Sequence, residues 1–431
     1  MHIGLCSPHW PPSQGANGIV TYVSQVREYL LSRGHDVSIV AQGRLIAQDG
    51  TVTPLQAPGG AAQSFDDQSF GVRWFGAKAI GALGRRIAWR FDRSSGALAP
   101  LGRMLAREVA QAHRIRRFDV FEMEESFGWS AFVGKAIDAP VVTRLHGPHA
   151  VRPPSPRSEA ELQSDEARCR AEARAIRAAP VLTAPTRAVL DVLCAQARRD
   201  PASVSLAIPN PIRIDPEAPT WSLDTCEPDH VLMVGRFDYW KGADTMLLAF
   251  DRLLDTRPNA RLTLVGPDDG IDSHGRRVGF ETFVAENLSL RARERITFTG
   301  QLEAGQIAPL RRKAMVTVCA SREESFSYVL LEGMVAGCPL ISTAWPASRE
   351  VIVDGESGML TPIADPPALA ASLERMLADP QRAAAMGAAA RERARRCFAI
   401  EVVGARLIDC YETAIEAAAA ERAAGPVATL Q

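Results

Sequence analysis

Four charged residues in the second half of this 431-residue chain have the types and spacing to hold a two-ended ligand. Glu324 and Glu332 are separated by seven residues within SREESFSYVLLEGMVAGCPLISTAWPASRE, residues 321–350. Arg236 and Lys241 stand five apart in the stretch VGRFDYWKG, residues 234–242. Carboxylates repel phosphate but accept hydrogen bonds from hydroxyls. Two cations on one loop can grip a diphosphate from two directions. A ligand with a sugar, then phosphates, then another sugar meets both demands, which describes a nucleotide-sugar. Either pair alone is more often a set of solvated surface charges; both pairs on one sheet edge change that balance.

The surrounding sequence supplies the elements that would position them. Residues 315–320 read as an apolar strand, and the polar turn SFS follows Glu324. Ser327 is placed to cap a helix over 328–336, Gly337 sits where that helix should end, and Pro339 forbids its continuation. Residues 340–343 form the next strand. Strand, turn, helix, strand is the repeating unit of a parallel α/β sheet. The spacing puts the two carboxylates roughly 10–12 Å apart. That is too far for a two-carboxylate hydrolase pair but suits the two ends of one elongated ligand. The first backbone N–H groups of the helix, around Ser325, Phe326, Ser327 and Tyr328, lack helical partners and attract anions.

The first half opens with a strand at 3–6, the loop SPHWPPSQGANG, a helix at 19–31 stopped by Gly34, and a strand at 37–41. This β-loop-α-β start is Rossmann-like. Gly15 and Gly18 would let backbone approach a ligand at the helix start, or simply make a tight turn. The loop is not G-x-G-x-x-G and no acid ends the second strand, which argues against NAD. Strands at 118–123 and 139–145 end at Glu124-Glu125 and at His146-Gly147-Pro148-His149. Ligands of open α/β sheets bind at the carboxyl ends of strands. Glu124, Glu125 and His149 are therefore acceptor-side candidates. His146 could polarise a substrate, donate a hydrogen bond, or only cap a loop. A helix at 158–178, a strand at 181–184, a helix capped by Thr186 and a strand at 204–208 complete this half. The proline-dense IPNPIRIDPEAP, residues 208–219, reads as the boundary. A fresh series follows, with strands at 230–235, 261–266 and 296–299 and the loop PDDGIDSHG.

Composition narrows the function classes. Formal net charge is −1, so no global basic field calls for nucleic acid. The eight cysteines are scattered with no C-x-x-C, which argues against a disulfide framework or a structural zinc site and fits a reduced cytoplasmic protein. No signal-peptide pattern opens the sequence, and no run approaches the roughly 18–20 apolar residues of a spanning helix. Residues 73–117 carry eleven Lys/Arg against two acids, interleaved with Trp74, Phe75, Trp89 and Phe91. That segment is expected either to rest on an anionic membrane surface and receive a lipid-linked acceptor, or to be ordinary helices with snorkelling arginines.

Taken together these residues resemble the retaining glycosyltransferases of family 4, which have the GT-B fold. The resemblance rests on VGRFDYWKG, the Glu-x7-Glu block and SREVIVDGESGMLTP (348–362), with weaker matches at RGHDVSIV, VVTRLHG, APTRAVLDVL and IPNPIRID, in the family's order. It implies an α/β chain of two Rossmann-like domains facing across a cleft. Those would be an acceptor-side domain at 1–208, a linker at 209–224, a nucleotide-sugar domain at 225–395, and a helix at 396–431 crossing back to the first domain. It implies that Arg236 and Lys241 bind the donor diphosphate, Glu324 the donor-sugar hydroxyls and Glu332 the ribose. His146 would lie beside the transferred sugar, Gly18 under the diphosphate, and Gln301 and Leu302 along the base. Departures are Asn17-Gly18 for Gly-Gly, Ser325 and Ser327 for the glycines flanking the phenylalanine, and Asn210-Pro211 for Asn-Gly. The serines leave the identity of the donor sugar open.

The expected reaction is transfer of a glycosyl unit from a nucleotide-sugar, a UDP-sugar by this reading, to a hydroxyl with retained configuration. The product would be a cell-surface polysaccharide or glycolipid made at the inner membrane face. No metal or other cofactor is expected if two side-chain cations stabilise the leaving diphosphate, so Asp66-Asp67 and Asp268-Asp269 are read as loop acids. Two rivals are a nucleotide-sugar hydrolase or epimerase on the same architecture, and a nucleotide-sugar-binding protein without catalysis.

Overall fold

The computed structural model describes residues 1–14, 17–55, 98–147, 149–151, 159–273 and 276–424. Two sheets organise them. The first contains β1 (His2–Cys6), β2 (Asp36–Ala41), β3 (Arg44–Ile46), β4 (Val52–Pro54), β5 (Val120–Glu124), β6 (Val141–Arg144), β7 (Val181–Ala184) and β8 (Val204–Ala207). Their order is β4-β3-β2-β1-β5-β6-β7-β8, parallel except where β3 and β4 add on antiparallel at one edge. The second half provides β9 (Glu227–Val234), β10 (Phe237–Asp238), β11 (Arg261–Val265), β12 (Asp268–Ser273), β13 (Arg276–Val278), β14 (Ile296–Phe298), β15 (Ala314–Cys319), β16 (Leu340–Thr343) and β17 (Met359–Thr361). Six of these form a wholly parallel sheet in the order β14-β11-β9-β15-β16-β17. Central strands of both sheets read as continuous apolar runs because helices cover both faces.

The loop expected at PDDGIDSHG instead holds β12, paired antiparallel with β13. Ile271 and Val278 face each other across that pair and are both buried, so a short hairpin hides apolar side chains that a loop would expose.

The chain crosses between the sheets twice, and the crossings are tied to each other. Ile212 N–H donates to Phe398 O at 2.8 Å, and Ile400 N–H donates to Ile212 O at 3.0 Å. Beyond this junction the helix Ile400–Ala424 lies on the first sheet, burying Val403, Leu407 and Tyr411 with Tyr22, Val26 and Leu30 of the helix Gly18–Ser32. Gly404 permits the approach: a Cβ there would lie 2.3 Å from the Tyr29 ring. A third tie comes from Glu350, whose carboxylate accepts from the N–H groups of Arg187 and Ala188, each at 2.8 Å. The second half thereby caps the first-half helix Arg187–Ala197, alongside its own N-cap Thr186.

Candidate functional site

In each sheet the strand order reverses beside its first strand, between β1 and β5 and between β9 and β15. Ligands of such sheets bind at the carboxyl ends of strands beside that reversal. Arg236 and Lys241 follow β9, and residues 321–327 follow β15, so the two loops flank the reversal of the second sheet.

Lys241 and Glu324 meet there. Lys241 Nζ donates to Glu324 Oε1 at 2.5 Å, and Ser321 Oγ donates to the same oxygen at 2.9 Å. Burial alone would lower the Lys241 pKa; the Glu324 carboxylate outweighs it and raises the ammonium above its ordinary value. Asp238 joins the two cations: Oδ2 accepts from Arg236 Nε at 2.8 Å and Oδ1 from Lys241 N–H at 2.7 Å. Asp269 Oδ2 lies 3.4 Å from the same Arg236 nitrogen. Arg322 locks the loops in register. Its guanidinium makes a bidentate pair with Asp244 at 2.8 and 2.7 Å, donates to Tyr239 O at 2.6 Å, and stacks 4.1 Å from the Tyr239 ring centroid.

Gly242 makes this closeness possible. Its φ is +65°, and a Cβ would lie 2.0 Å from Ala320 O, so only glycine lets the Lys241 loop rest on the end of β15. The helix Tyr328–Ala336 then starts with Ser327 in the N-cap position and ends at Gly337 in the left-handed region. The Ser327 hydroxyl makes no cap bond; it lies 3.7 Å from Cys319 Sγ instead. Cap bonding by Ser327, expected from sequence, is thus not what the structure shows, and the helix start keeps one more N–H group for a ligand. Ser325 is buried, and Phe326 is fixed by an edge-to-face contact with Phe398, centroids 5.6 Å apart. The Phe326 ring thus serves the junction between the two crossings. Glu332, one face further along, pairs with Arg311 at 2.5 Å and remains partly exposed. Gln301 is exposed and Leu302 packs by the buried Leu232, Val265 and Ala314, just past Gly300.

The first half faces these groups. A Cβ at Gly18 would lie 3.8 Å from Tyr328 Cδ2, and one at Gly147 would lie 3.9 Å from Ser325 Oγ. His146 meets the Tyr22 ring edge-on, centroids 4.9 Å apart. Burial, and then the Arg144 charge, hold the His146 pKa well below its ordinary value, so the imidazole is neutral at neutral pH. It can donate or accept one hydrogen bond there, but it is no standing cation.

The acceptor-side acids need correction. Glu125 does not face the cleft: it is fully buried, and its oxygens accept from His146 N–H at 2.8 Å and Gly147 N–H at 3.1 Å. It shapes the histidine loop from beneath. Burial, Glu172 and Glu124 push its carboxyl up to about 8. His149 is also buried, its ring 2.7 Å from Asp165 and its N–H bonded to Glu172 at 2.8 Å, so it is a packing residue of the first half. Glu124 stays partly exposed and accepts from Ser126 Oγ at 3.0 Å. The charged partners Asp238, Arg311 and Arg322 were not singled out from sequence, and Asp269, read there as a loop acid, lies beside Arg236. Asp238 and Arg322 lie inside the two motifs and could have been; Arg311 arrives from another helix and carries no local signal.

Among the described residues no group of three or more His, Cys, Asp or Glu could hold a metal ion, and no helix is long and apolar enough to cross a membrane. Residues 73–97 of the basic segment, with Trp74, Phe75 and Trp89, and the Asp66-Asp67 pair, lie outside the described residues. The remainder is the helix Leu98–Ile115, which exposes Arg103, Arg107 and Arg114 together with Met104 and Ile115, followed by Arg116 and Arg117, which pair with Asp36 and Asp138.

Two family profiles match in succession, the one described as Glycosyltransferase Family 4 over residues 16–215 and the one described as Glycosyl transferases group 1 over residues 225–393. The chain belongs to the family 4, group 1 glycosyltransferases. This glycosyltransferase-family chain is 32% identical over 186 residues to a D-inositol 3-phosphate glycosyltransferase of Streptomyces avermitilis, covering 43% of the chain and 40% of that protein. It is 33% identical over 186 residues to a phosphatidyl-myo-inositol mannosyltransferase of Mycolicibacterium smegmatis, covering 42% and 45%. The match thus spans less than half the length of these curated relatives. Among solved structures it superposes on sucrose-phosphate synthase from Thermosynechococcus elongatus with a TM-score of 0.71 and 21% identity, covering 96% of this chain and 99% of that one. It superposes on Anabaena HepE, crystallised with UDP-glucose, with a TM-score of 0.63 and 17% identity, covering 96% and 100%. The two-domain GT-B architecture is shared.

Proposed function

We propose that this protein transfers a glycosyl unit from a nucleotide-sugar to a hydroxyl acceptor with retention of configuration. The observation that carries the reading is the Lys241–Glu324 pair beside the start of the helix Tyr328–Ala336, across from Gly18 and His146. Here Arg236, Lys241 and the helix N–H groups take the diphosphate. They stabilise the leaving group more as charge builds on it than in the ground state. Glu324 turns from Lys241 to the donor-sugar hydroxyls, and Glu332 reaches the ribose with the oxygen that Arg311 does not hold. Neutral His146 hydrogen-bonds the transferred sugar. The leaving phosphate oxygen accepts the acceptor's proton on the same face, so no protein nucleophile is required. The two side-chain cations do the work a metal ion would otherwise do.

A uridine nucleotide is the donor we favour, in keeping with the UDP-glucose named for HepE. The acceptor is a glycan or a lipid-linked hydroxyl approaching from the first half. The relatives named for phosphatidyl-myo-inositol and inositol phosphate support an acceptor of that polarity, and the basic segment at 73–117 supports a cytoplasmic enzyme resting on an anionic membrane face. The test is a melting-point screen against UDP, GDP, ADP and their sugars, followed by product analysis with a panel of acceptors. A ligand at about 100 times its Kd stabilises by about 2.7 kcal/mol. Transfer product with the donor's anomeric configuration supports the reading. Free sugar alone favours a hydrolase, and binding without turnover favours a non-catalytic protein.

A further inference from the structure

Arg144 stands two residues before His146, at the end of β6, and is wholly buried. A parallel strand covered on both faces normally carries an apolar residue there. Burying a cation is costly unless hydrogen bonds replace its water. Arg144 finds most of those bonds in one place; Nη1 reaches only Thr183 Oγ1 of β7, at 3.5 Å, and Nε is buried without a partner among the described residues. Its Nη2 donates to Ile208 O at 2.9 Å, Pro209 O at 3.3 Å and Asn210 Oδ1 at 2.8 Å, the residues with which the chain leaves the first sheet. No carboxylate lies within ion-pair distance of it among the described residues. Glu122, buried on β5, shares its surroundings but bonds to Tyr411 of the crossing-back helix at 3.1 Å.

The guanidinium has a second contact. Its Cζ lies 4.3 Å from the Tyr22 ring centroid, and the edge of the Tyr22–His146 contact follows at 4.9 Å. Tyr328, the first residue of the donor-side helix, packs onto the same cluster, with its hydroxyl buried and unbonded. Arg144 thus touches the start of the linker directly and the histidine through the Tyr22 ring, while the donor-side helix packs on the cluster that holds Tyr22. If Arg144 served stability alone, an apolar residue of similar volume would do as well or better.

We infer that Arg144 is the positioning residue of the His146 pocket: it pins the start of the interdomain linker to the strand carrying His146 and, through the Tyr22 ring, sets the orientation of the imidazole. The inference rests on the proposed role of His146 beside the transferred sugar. It goes further in assigning a residue that touches neither substrate.

The test compares the full-length Arg144→Met and Arg144→Lys proteins well below their melting points. The probe for the donor grip is whichever of UDP, GDP and ADP binds best, measured by calorimetry. Its affinity should fall far less than kcat, because Arg236 and Lys241 lie on the other sheet, while kcat falls at least about 30-fold in Arg144→Met, as misplacing a reacting group by about 1 Å can cost about 100-fold. Arg144→Lys should recover part of that loss. The ¹⁵N imidazole signals of His146, assigned with a His146→Gln protein, should shift in Arg144→Met. A wild-type kcat overturns the inference. So does a lowered melting point with kcat and the His146 signals unchanged. If Arg144→Met fails to fold, Asn210→Ala removes one of the linker acceptors and is read the same way, with a smaller fall in kcat expected. If the wild-type protein transfers no sugar at all, the transferase reading falls, and the His146 signals alone decide the role of Arg144.

Discussion

Lys241 Nζ stands 2.5 Å from Glu324 Oε1, although the residues are 83 positions apart in sequence. Each is the other's stand-in partner: the ammonium holds the carboxylate where a sugar hydroxyl would come, and the carboxylate holds the ammonium where a phosphate would come. The pair ties the two loops together. In the proposed function, donor binding would separate or re-share it, which favours a ligand carrying both an anion and hydroxyls.

Removing the cation should therefore cost catalysis more than folding. Lys241→Ala is expected to lose at least about 2–3 kcal/mol of transition-state stabilisation, at or just below the roughly 2.7–4 kcal/mol for losing one charge-stabilising donor. Glu324 keeps its bond from Ser321 and is already 14% exposed beside Lys241, so water can reach it once the lysine is truncated and the melting point should fall less than the activity. Steady-state kinetics with the best donor decide it; wild-type turnover in the variant rules out the assignment.

Gly242→Ala acts on the same pair through the backbone. With φ at +65° and the new Cβ only 2.0 Å from Ala320 O, the loop must move off β15. The backbone strain alone costs about 1–2 kcal/mol, and the displaced carbonyl adds to it. Denaturant midpoints should fall, and nucleotide affinity should fall with them because Lys241 moves too. An unchanged affinity would show that the position of this loop does not matter to the grip.

What the sequence reveals and conceals follows from range. The elements around the site were legible because their signals are local: the apolar run before Ser321, Gly337 and Pro339 ending a helix, and Thr186 capping another, where its Oγ1 indeed accepts from Val189 N–H. The hairpin at 268–278 was missed because glycine and acidic residues mask one apolar pair, Ile271 opposite Val278. Glu125 was misread because a carboxylate after a strand end looks the same in sequence whether it faces solvent or turns under the next loop to accept two N–H bonds. Glu332's partner Arg311 and the role of Arg144 depend on contacts across 21 and 64–66 positions, which no spacing rule reaches.

Glu125 also makes a pH-dependent contribution to stability whose sign is fixed by its raised carboxyl. Its folded value of about 8 lies above the ordinary carboxylate range, so the folded protein holds a proton that the unfolded chain has already lost. The folded state binds more protons between roughly pH 4.5 and 8, and stability falls as pH rises through that window. Glu125→Gln should flatten this part of the stability–pH profile. Urea unfolding at pH 5, 6.5 and 8 measures it; an equal slope in both proteins would assign the titration elsewhere.

Because the proposed grip uses Arg236, Lys241 and helix N–H groups, transfer should persist in EDTA. Asp268 and Asp269 are already committed to the protein, Asp268 Oδ2 accepting from Phe280 N–H at 2.8 Å and Asp269 Oδ2 lying 3.4 Å from Arg236 Nε. Complete loss on chelation, restored by a divalent ion, would show that the diphosphate is held differently.

The acceptor side yields the last expectation. The helix Leu98–Ile115 exposes Arg103, Arg107 and Arg114 on one side, with Met104 and Ile115 exposed by 36% and 46% beside them. At 100° per residue these five fall within about a third of a turn of one another. A basic face edged by apolar side chains suits an anionic membrane surface, where each cation contributes about 1 kcal/mol. Three such residues give a contact that is weak and reversible. It should be screened over roughly 8–10 Å near physiological ionic strength, so binding should weaken steeply with salt. Replacing the three arginines by glutamate should abolish sedimentation with vesicles containing anionic lipid while leaving nucleotide affinity unchanged, since the grip lies on the other sheet. Arg85, Arg86 and Arg90, earlier in the basic segment, provide a second set for the same reversal. If the wild-type protein binds neutral and anionic vesicles equally poorly at low salt, the face is ordinary solvated surface. The acceptor would then be sought among soluble glycans.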